Sequence, residues 1–224
     1  MSYHNHGHHY HKENGHKYSK VRFVHNVADS PNVDIYVDKK LIASDIPYKK
    51  ISDYIGVKSG RHEFVIKITR TKNVLLSKHA TVVSDKAYTY IISGSSSDPK
   101  SLVILATADD TECPPSGKSK VRFIHASAGS PAVDVLYESY DGYMELFENY
   151  EYTDATSPYK EINSGKYRFT VTATGTNTSV IDPIDVTLKS GKVYTIIASG
   201  IVNNDKFPLR VLVKSDEKNC IYGM

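Results

Sequence analysis

The line "KVRFVHNVADSPNVDIYV" beginning at Lys20 returns as "KVRFIHASAGSPAVDVLY" beginning at Lys120. A near-copy at this distance marks a repeated structural unit and constrains the fold more than any other feature. The match continues in order. "SGRHEFVIKITRT" from Ser59 pairs with "SGKYRFTVTATGT" from Ser164, "SDKAYTYIISG" from Ser84 with "SGKVYTIIASG" from Ser190, and "LVILATADD" from Leu102 with "LRVLVKSDE" from Leu209. The offset grows from 100 to 107 through small loop insertions, the mark of a tandem duplication.

The pattern predicts two units, residues 19–110 and 119–217, joined by a Pro/Gly/Ser linker at 111–118. A His-rich arm at 1–18 precedes them and a Cys-containing tail at 218–224 follows. The largest insertion is in the second unit, where "YESYDGYMELFENYEY" replaces "VDKKLIASDIPY". It contributes Tyr137, Tyr140, Tyr143, Tyr150 and Tyr152 among Glu138, Asp141, Glu145, Glu148 and Glu151, a candidate interaction surface.

Each unit reads as strands. "VRFVH" and "VDIYV" alternate and flank a Ser-Pro loop, "DKK" is a tight turn, and Gly60 and Gly165 mark turns before alternating runs. "VYTIIASG" is more continuously apolar, as a strand buried on both faces would be. No stretch holds a 3.6-residue apolar period. The expected fold class is all-β: two tandem antiparallel β-sandwich domains of seven or eight short strands each, with a disordered His-rich N-terminal arm.

Charge and hydropathy remove several functions. The net charge of +3 is dispersed, so no nucleic-acid footprint forms. No apolar run is long enough for a membrane span, and the N-terminus has no apolar signal-peptide region. There is no phosphate loop, dinucleotide glycine pattern or nucleophile elbow.

The repeated line resembles domain-of-unknown-function family 4397. Arg22, His25, Ser30, Pro31, Val33 and Asp34 carry the resemblance in the first unit. Arg122, His125, Ala126, Ser127, Pro131, Val133 and Asp134 carry it in the second. "SDY" ending at Tyr54 and "SPY" ending at Tyr159 continue it, and the first unit departs from the pattern at Asn26-Val27. The resemblance implies a β-sandwich common in bacterial surface or secreted proteins, with no established activity and no catalytic site.

Three constellations bear on chemistry. His25, Ser30 and Asp34, repeated as His125, Ser130 and Asp134, are the residue types of a hydrolase triad. Composition alone does not make a triad. The preferred reading is structural, with Arg22, His25, Asp34, Arg122, His125 and Asp134 as a hairpin motif in which His and Asp meet across the loop.

The arm carries His4, His6, His8, His9, His11 and His16, candidate ligands for Cu, Ni or Zn. Loss of the initiator Met would leave Ser-Tyr-His, able to offer four nitrogens in a square plane to Cu(II) or Ni(II). A closed structural zinc site is not expected, because the Cys/His spacing is missing.

Cys113 and Cys220 sit at equivalent places after the last strand of each unit. They are a possible cross-link, to each other or to other chains, or two thiols in a reducing compartment. "NTS" at Asn177 is a glycosylation sequon without a secretory signal.

The expected function is a non-enzymatic structural or adhesive protein of a bacterial cell surface or spore coat, reached by a non-classical route; a cytoplasmic location is the alternative. Expected partners are other proteins or further copies of the chain, with homo-oligomers possible, and no cofactor is required. The alternative function is metal binding through the arm.

Overall fold

The structure, a computed structural model, describes residues 18–110, 112–139, 142–154 and 158–215. The first eight strands are β1 (Tyr18–Val27), β2 (Val33–Val37), β3 (Lys40–Ile46), β4 (Ile55–Lys58), β5 (Gly60–Ile68), β6 (Val74–Val82), β7 (Ala87–Ser95) and β8 (Asp98–Ala108). The next eight repeat them as β9 (Lys118–His125), β10 (Val133–Ser139), β11 (Gly142–Tyr150), β12 (Lys160–Asn163), β13 (Gly165–Ala173), β14 (Ser179–Leu188), β15 (Val193–Ser199) and β16 (Arg210–Ser215). No helix occurs among the described residues, so none there is long and apolar enough to cross a membrane.

The strands form four sheets of four. The first repeat gives β4-β1-β7-β8 and β3-β2-β5-β6; the second gives the same orders as β12-β9-β15-β16 and β11-β10-β13-β14. In each repeat the two sheets face one another across an apolar core. Phe23, Ile35, Phe64 and Tyr90 lie at the centre of the first, and Phe123, Val135, Phe147 and Phe169 at the centre of the second. The all-β sandwich expected from the repeat is therefore present twice.

One pairing in each sandwich differs from a fully antiparallel arrangement. β1 runs parallel to β7, and β9 parallel to β15. These partners are not hairpin neighbours; the chain leaves through the opposite sheet and returns. Parallel pairing needs such a long crossover.

Local sequence explains the turns. Asp38 and Lys39 both take positive φ, 47° and 70°, forming the two-residue turn that matches the twist of a β2–β3 hairpin. Gly94, near the end of β7, and Gly200, just after β15, are equivalent and have φ of 115° and 104°. A Cβ at either would collide with backbone, Ser101 or Pro208 respectively. The repeated Ser-Gly is thus a backbone requirement.

The two sandwiches pack face to face. Along β1, Val21, Phe23 and Val27 enter the first core while Arg22, Val24 and Asn26 turn the other way. Val24, Ile91 and Leu105 of the first repeat meet Ile124, Ala126 and Ile197 of the second in a separate apolar cluster. The molecule is therefore four layers deep, with both inner sheets covered on both faces. This accounts for the continuous burial of β15, the two-sided strand expected from "VYTIIASG".

Candidate functional site

The repeated motif closes the loop between the first two strands of each sandwich. His25 Nε2 lies 3.1 Å from the carbonyl oxygen of Pro31, and His125 Nε2 lies 3.0 Å from that of Pro131. A carbonyl only accepts, so Nε2 carries the proton. Nδ1 then accepts weakly from the Val27 N–H at 3.5 Å and the Ser127 N–H at 3.4 Å. Burial pushes both imidazoles below the ordinary histidine value; the hydrogen bond to the proline carbonyl opposes this only in part. These are neutral, structural histidines.

The expected His–Asp contact across the loop does not form. Asp34 and Asp134 point the other way and organise neighbouring turns. Asp34 Oδ1 accepts from the Asp45 N–H at 2.9 Å and the Thr69 hydroxyl at 2.9 Å. Asp134 accepts from the Asn149 N–H at 2.7 Å, the Thr174 hydroxyl at 2.8 Å and the Gly175 N–H at 3.2 Å. Asp45 and Asn149 both have positive φ, 55° and 54°, and lie where the register of β3 and β11 shifts. The motif carboxylate thus holds a bulge. Ser30 donates to the carbonyl of its own neighbour Pro31, and Ser130 pairs with Ser127. Neither serine meets its histidine, so the triad residue types are not assembled as nucleophile and base.

Arg22 and Arg122 belong to the seam between the sandwiches. Arg22 Nε donates to Thr89 Oγ1 at 2.8 Å, and Arg122 Nε to Thr195 Oγ1 at 3.0 Å. Each guanidinium lies 4.7 Å from a tyrosine ring, Tyr54 for Arg22 and Tyr159 for Arg122. Arg122 also crosses the seam. It donates to Thr107 Oγ1 at 2.9 Å and the Ala108 carbonyl at 3.0 Å, and it pairs with the carboxylate of Asp109. Asp109 further accepts from Tyr54 at 2.7 Å and Thr89 at 2.8 Å. Beside it, Lys120 reaches Asp110 at 2.6 Å.

The far end of the seam shows a local two-fold relation. The Tyr48 hydroxyl of the first repeat lies 2.8 Å from Ser199 Oγ of the second. Reciprocally, the Tyr152 hydroxyl of the second lies 3.4 Å from Ser93 Oγ of the first. Tyr48 packs edge-on to His25 and Tyr152 edge-on to His125. On the axis, equivalent residues meet one another: Asn26 Nδ2 donates to the Ala126 carbonyl at 2.7 Å, as does Ser93 Oγ. Asn26, where the first repeat departs from the motif, therefore makes a contact between repeats.

Reading the sequence missed Thr89, Thr107, Asp109, Tyr48, Ser93 and Ser199, and it placed Tyr152 in a Tyr-rich interaction surface, whereas its hydroxyl faces Ser93 across the seam. A signal existed for some of them. Thr89 and Thr195, like Ser93 and Ser199, recur at the offset of 106 within the Ser84/Ser190 match. Among the described residues, no group of three His, Cys, Asp or Glu could hold a metal ion. The arm histidines His4 to His16 lie outside the described residues, as do Tyr140, Asp141 and Cys220. Cys113 is disulfide-bonded. Asn177 is exposed between β13 and β14.

Comparison with known proteins gives a family and distant structural likenesses. No curated protein matches the sequence. Among solved structures, the Bacillus anthracis TIE protein is 13% identical, with 82% of this chain and 34% of that chain covered and a TM-score of 0.27. This chain thus spans about a third of that protein. CBMbc (family CBM26) from Eubacterium rectale Amy13K, in complex with maltoheptaose, is 12% identical over 91% of this chain and 98% of that one, with a TM-score of 0.26. A streptococcal virulence factor described by its α-glucan binding is 10% identical over 86% and 97%, with a TM-score of 0.27. At such scores the likeness carries no functional argument. The family model covers nearly all of both repeats, residues 19–136 and 138–220, and with the motif geometry above it places this chain in the family described as Domain of unknown function (DUF4397).

Proposed function

We propose that the chain is a non-enzymatic structural or adhesive protein of a bacterial surface or coat. Its two sandwiches act as one stiff unit that displays loops and edges. The observation that supports this most is the use of the repeated motif. Arg22, His25, Asp34 and their counterparts in the second repeat all spend their polar atoms on the loop, the bulge or the seam. The repeated residues build rigidity, and none of them faces a substrate cleft with a free nucleophile or base.

Labelling of intact cells and spores of the source organism with a membrane-impermeant amine reagent tests the reading. The chain carries many exposed lysines, so a surface location predicts labelling without lysis. Labelling only after lysis overturns it.

A further inference from the structure

We propose that the outer face of the second sandwich binds a neutral glycan along a row of side chains that crosses four strands. The inference gives the adhesive reading above a class of ligand and rests on that reading for its biological sense; the binding itself is tested separately.

The sheet β11-β10-β13-β14 turns one face to the core of its sandwich and the other away from the seam. Tyr137 and Phe169 pair across β10 and β13 and pack with the core. Their neighbours Glu138 and Arg168 therefore point outward. Tyr143 stands opposite Glu138 on β11, and Asp185 stands opposite Arg168 on β14. The result is one row, Tyr143–Glu138–Arg168–Asp185, and its three inter-strand steps make it about 14 Å long.

The row is held in place by its own contacts. Arg168 sits between two carboxylates, with Glu138 at 3.6 Å and Asp185 at 3.3 Å. The Tyr143 hydroxyl donates to Glu138 at 3.3 Å. All four side chains stay open to solvent: Glu138 and Arg168 are about half exposed, Asp185 more so, and Tyr143 is 60% exposed. Lys166 and Thr187, paired on the same face, extend it along a shallow depression of about 550 Å³. Side chains already fixed in this way lose little freedom when a ligand binds.

The row belongs to the second repeat alone. β10 has seven residues where β2 has five, and the residue that corresponds to Glu138 is Asp38, in a turn and bonded to His62. Arg168 and Asp185 correspond to Glu63 and His79. The Tyr-rich insertion thus lengthens the sheet and supplies the Glu138–Tyr143 pair.

The chemistry of the row selects its ligand. Lys166 and Arg168 balance Glu138 and Asp185, so the face has no net charge to draw in an ion, and its carboxylates repel phosphate. A protein partner would bury these charges, whereas the centres of protein interfaces are depleted in them. Sugar hydroxyls suit the row. Each can donate to a carboxylate and accept from the guanidinium or the ammonium, and such charge-assisted hydrogen bonds are the strong ones. At the end of the row, the exposed ring of Tyr143 offers an apolar surface to the C–H face of a sugar.

A printed array of neutral and acidic oligosaccharides, probed with the full chain, tests the site, followed by calorimetry on the strongest neutral binder at low and high salt. The wild-type chain is expected to bind neutral glycans with an affinity that salt hardly changes, because the ligand carries no charge to be screened. Tyr143→Ala and Arg168→Gln are each expected to raise Kd roughly tenfold or more. Glu63→Gln with His79→Asn, in the same row of the first sandwich, should leave Kd unchanged. These residues lie on outer sheet faces, and an unchanged thermal transition verifies the fold of each variant.

A wild-type chain that binds no neutral glycan overturns the proposal. So does binding confined to acidic glycans, and so does neutral-glycan binding that Tyr143→Ala and Arg168→Gln both leave unchanged. In each case the surface reading stands or falls on the labelling experiment. Labelling only after lysis, with glycan binding intact and sensitive to the row, removes the surface reading and keeps the site.

Discussion

Arg122 of the second sandwich is fully buried, and its charge is met by Asp109 at the end of the first. The carboxylate is itself nearly inaccessible and is further held by Tyr54 and Thr89. Removing one partner of a buried pair leaves an uncompensated charge, which costs about 3–5 kcal/mol. Asp109→Ala is therefore expected to lose stability of that order in urea denaturation. Arg122→Met combined with Asp109→Ala should lose less than the two single changes added together, because Arg122 no longer strands a charge, although the buried Arg22, whose Nε lies 3.9 Å from Asp109, still loses this counter-charge.

The seam also predicts that the two sandwiches unfold together. Val24, Ile91, Leu105, Ile124 and Ile197 are buried between them, and hydrogen bonds close both ends of this layer. Calorimetry on the intact chain should show one transition. Ile197→Ala should cost about 2–5 kcal/mol, the usual range for truncation of a core aliphatic residue. Ile124→Lys, which places a charge in the layer, should separate the transition into two. A wild-type chain that already melts in two steps would contradict the coupling.

Much of this architecture was legible in residues that repeat. The alternating runs, the turn at Asp38-Lys39 and the two-sided burial of β15 follow from local pattern, because side-chain alternation and positive φ leave direct marks in composition. The partners of His25 and Asp34 were not legible. Both residues lie near one loop, but a strand sends neighbouring side chains to opposite faces, and a backbone carbonyl as partner leaves no residue signature. The seam was hidden for a related reason. Arg22, Val24 and Asn26 alternate with the core residues of β1, and only a second sandwich covering that face turns them into buried contacts between repeats.

The bulge supports can be checked directly. Asp134 accepts three hydrogen bonds and Asp34 accepts two, each fixing a residue of positive φ. Asp134→Ala is expected to destabilise by about 1–3 kcal/mol, the cost of leaving partly buried donors unmatched. Asp34→Ala should cost less. Chemical denaturation of the two variants side by side decides the order.

Stability should fall on mild acidification. Burial holds the folded-state values of His25 and His125 below the unfolded value of about 6.5. The unfolded chain then binds more protons in that interval. Their contribution is complete above the unfolded value and is lost as pH falls from there toward the folded values. A second loss comes lower. Burial opposes ionisation of Asp29, but hydrogen bonds from Ser95, Ser96 and Ser97 prevail and hold it down to about 2, against an ordinary 3.8. Its contribution is lost as pH falls through that interval. Melting temperatures across an acid pH series should show both declines, and replacing both histidines with Gln should flatten the first.

Metal affinity, where present, should reside in the arm. The described residues hold no cluster of three ligating side chains, whereas residues 1–17 carry His4, His6, His8, His9, His11 and His16. Neutral imidazoles at such close spacing, His4 to His11 being adjacent or separated by a single residue, can converge on Cu(II) or Ni(II) without any preformed cavity. Their deprotonation near neutral pH also makes the affinity pH-dependent. Titration of the full chain with Cu(II), followed by absorption and calorimetry, should show tight binding that disappears when residues 1–17 are deleted. The thermal transition of the sandwiches should not change with the deletion. Equal Cu(II) affinity in the truncated chain would move the site into the body of the protein and end the case for the arm.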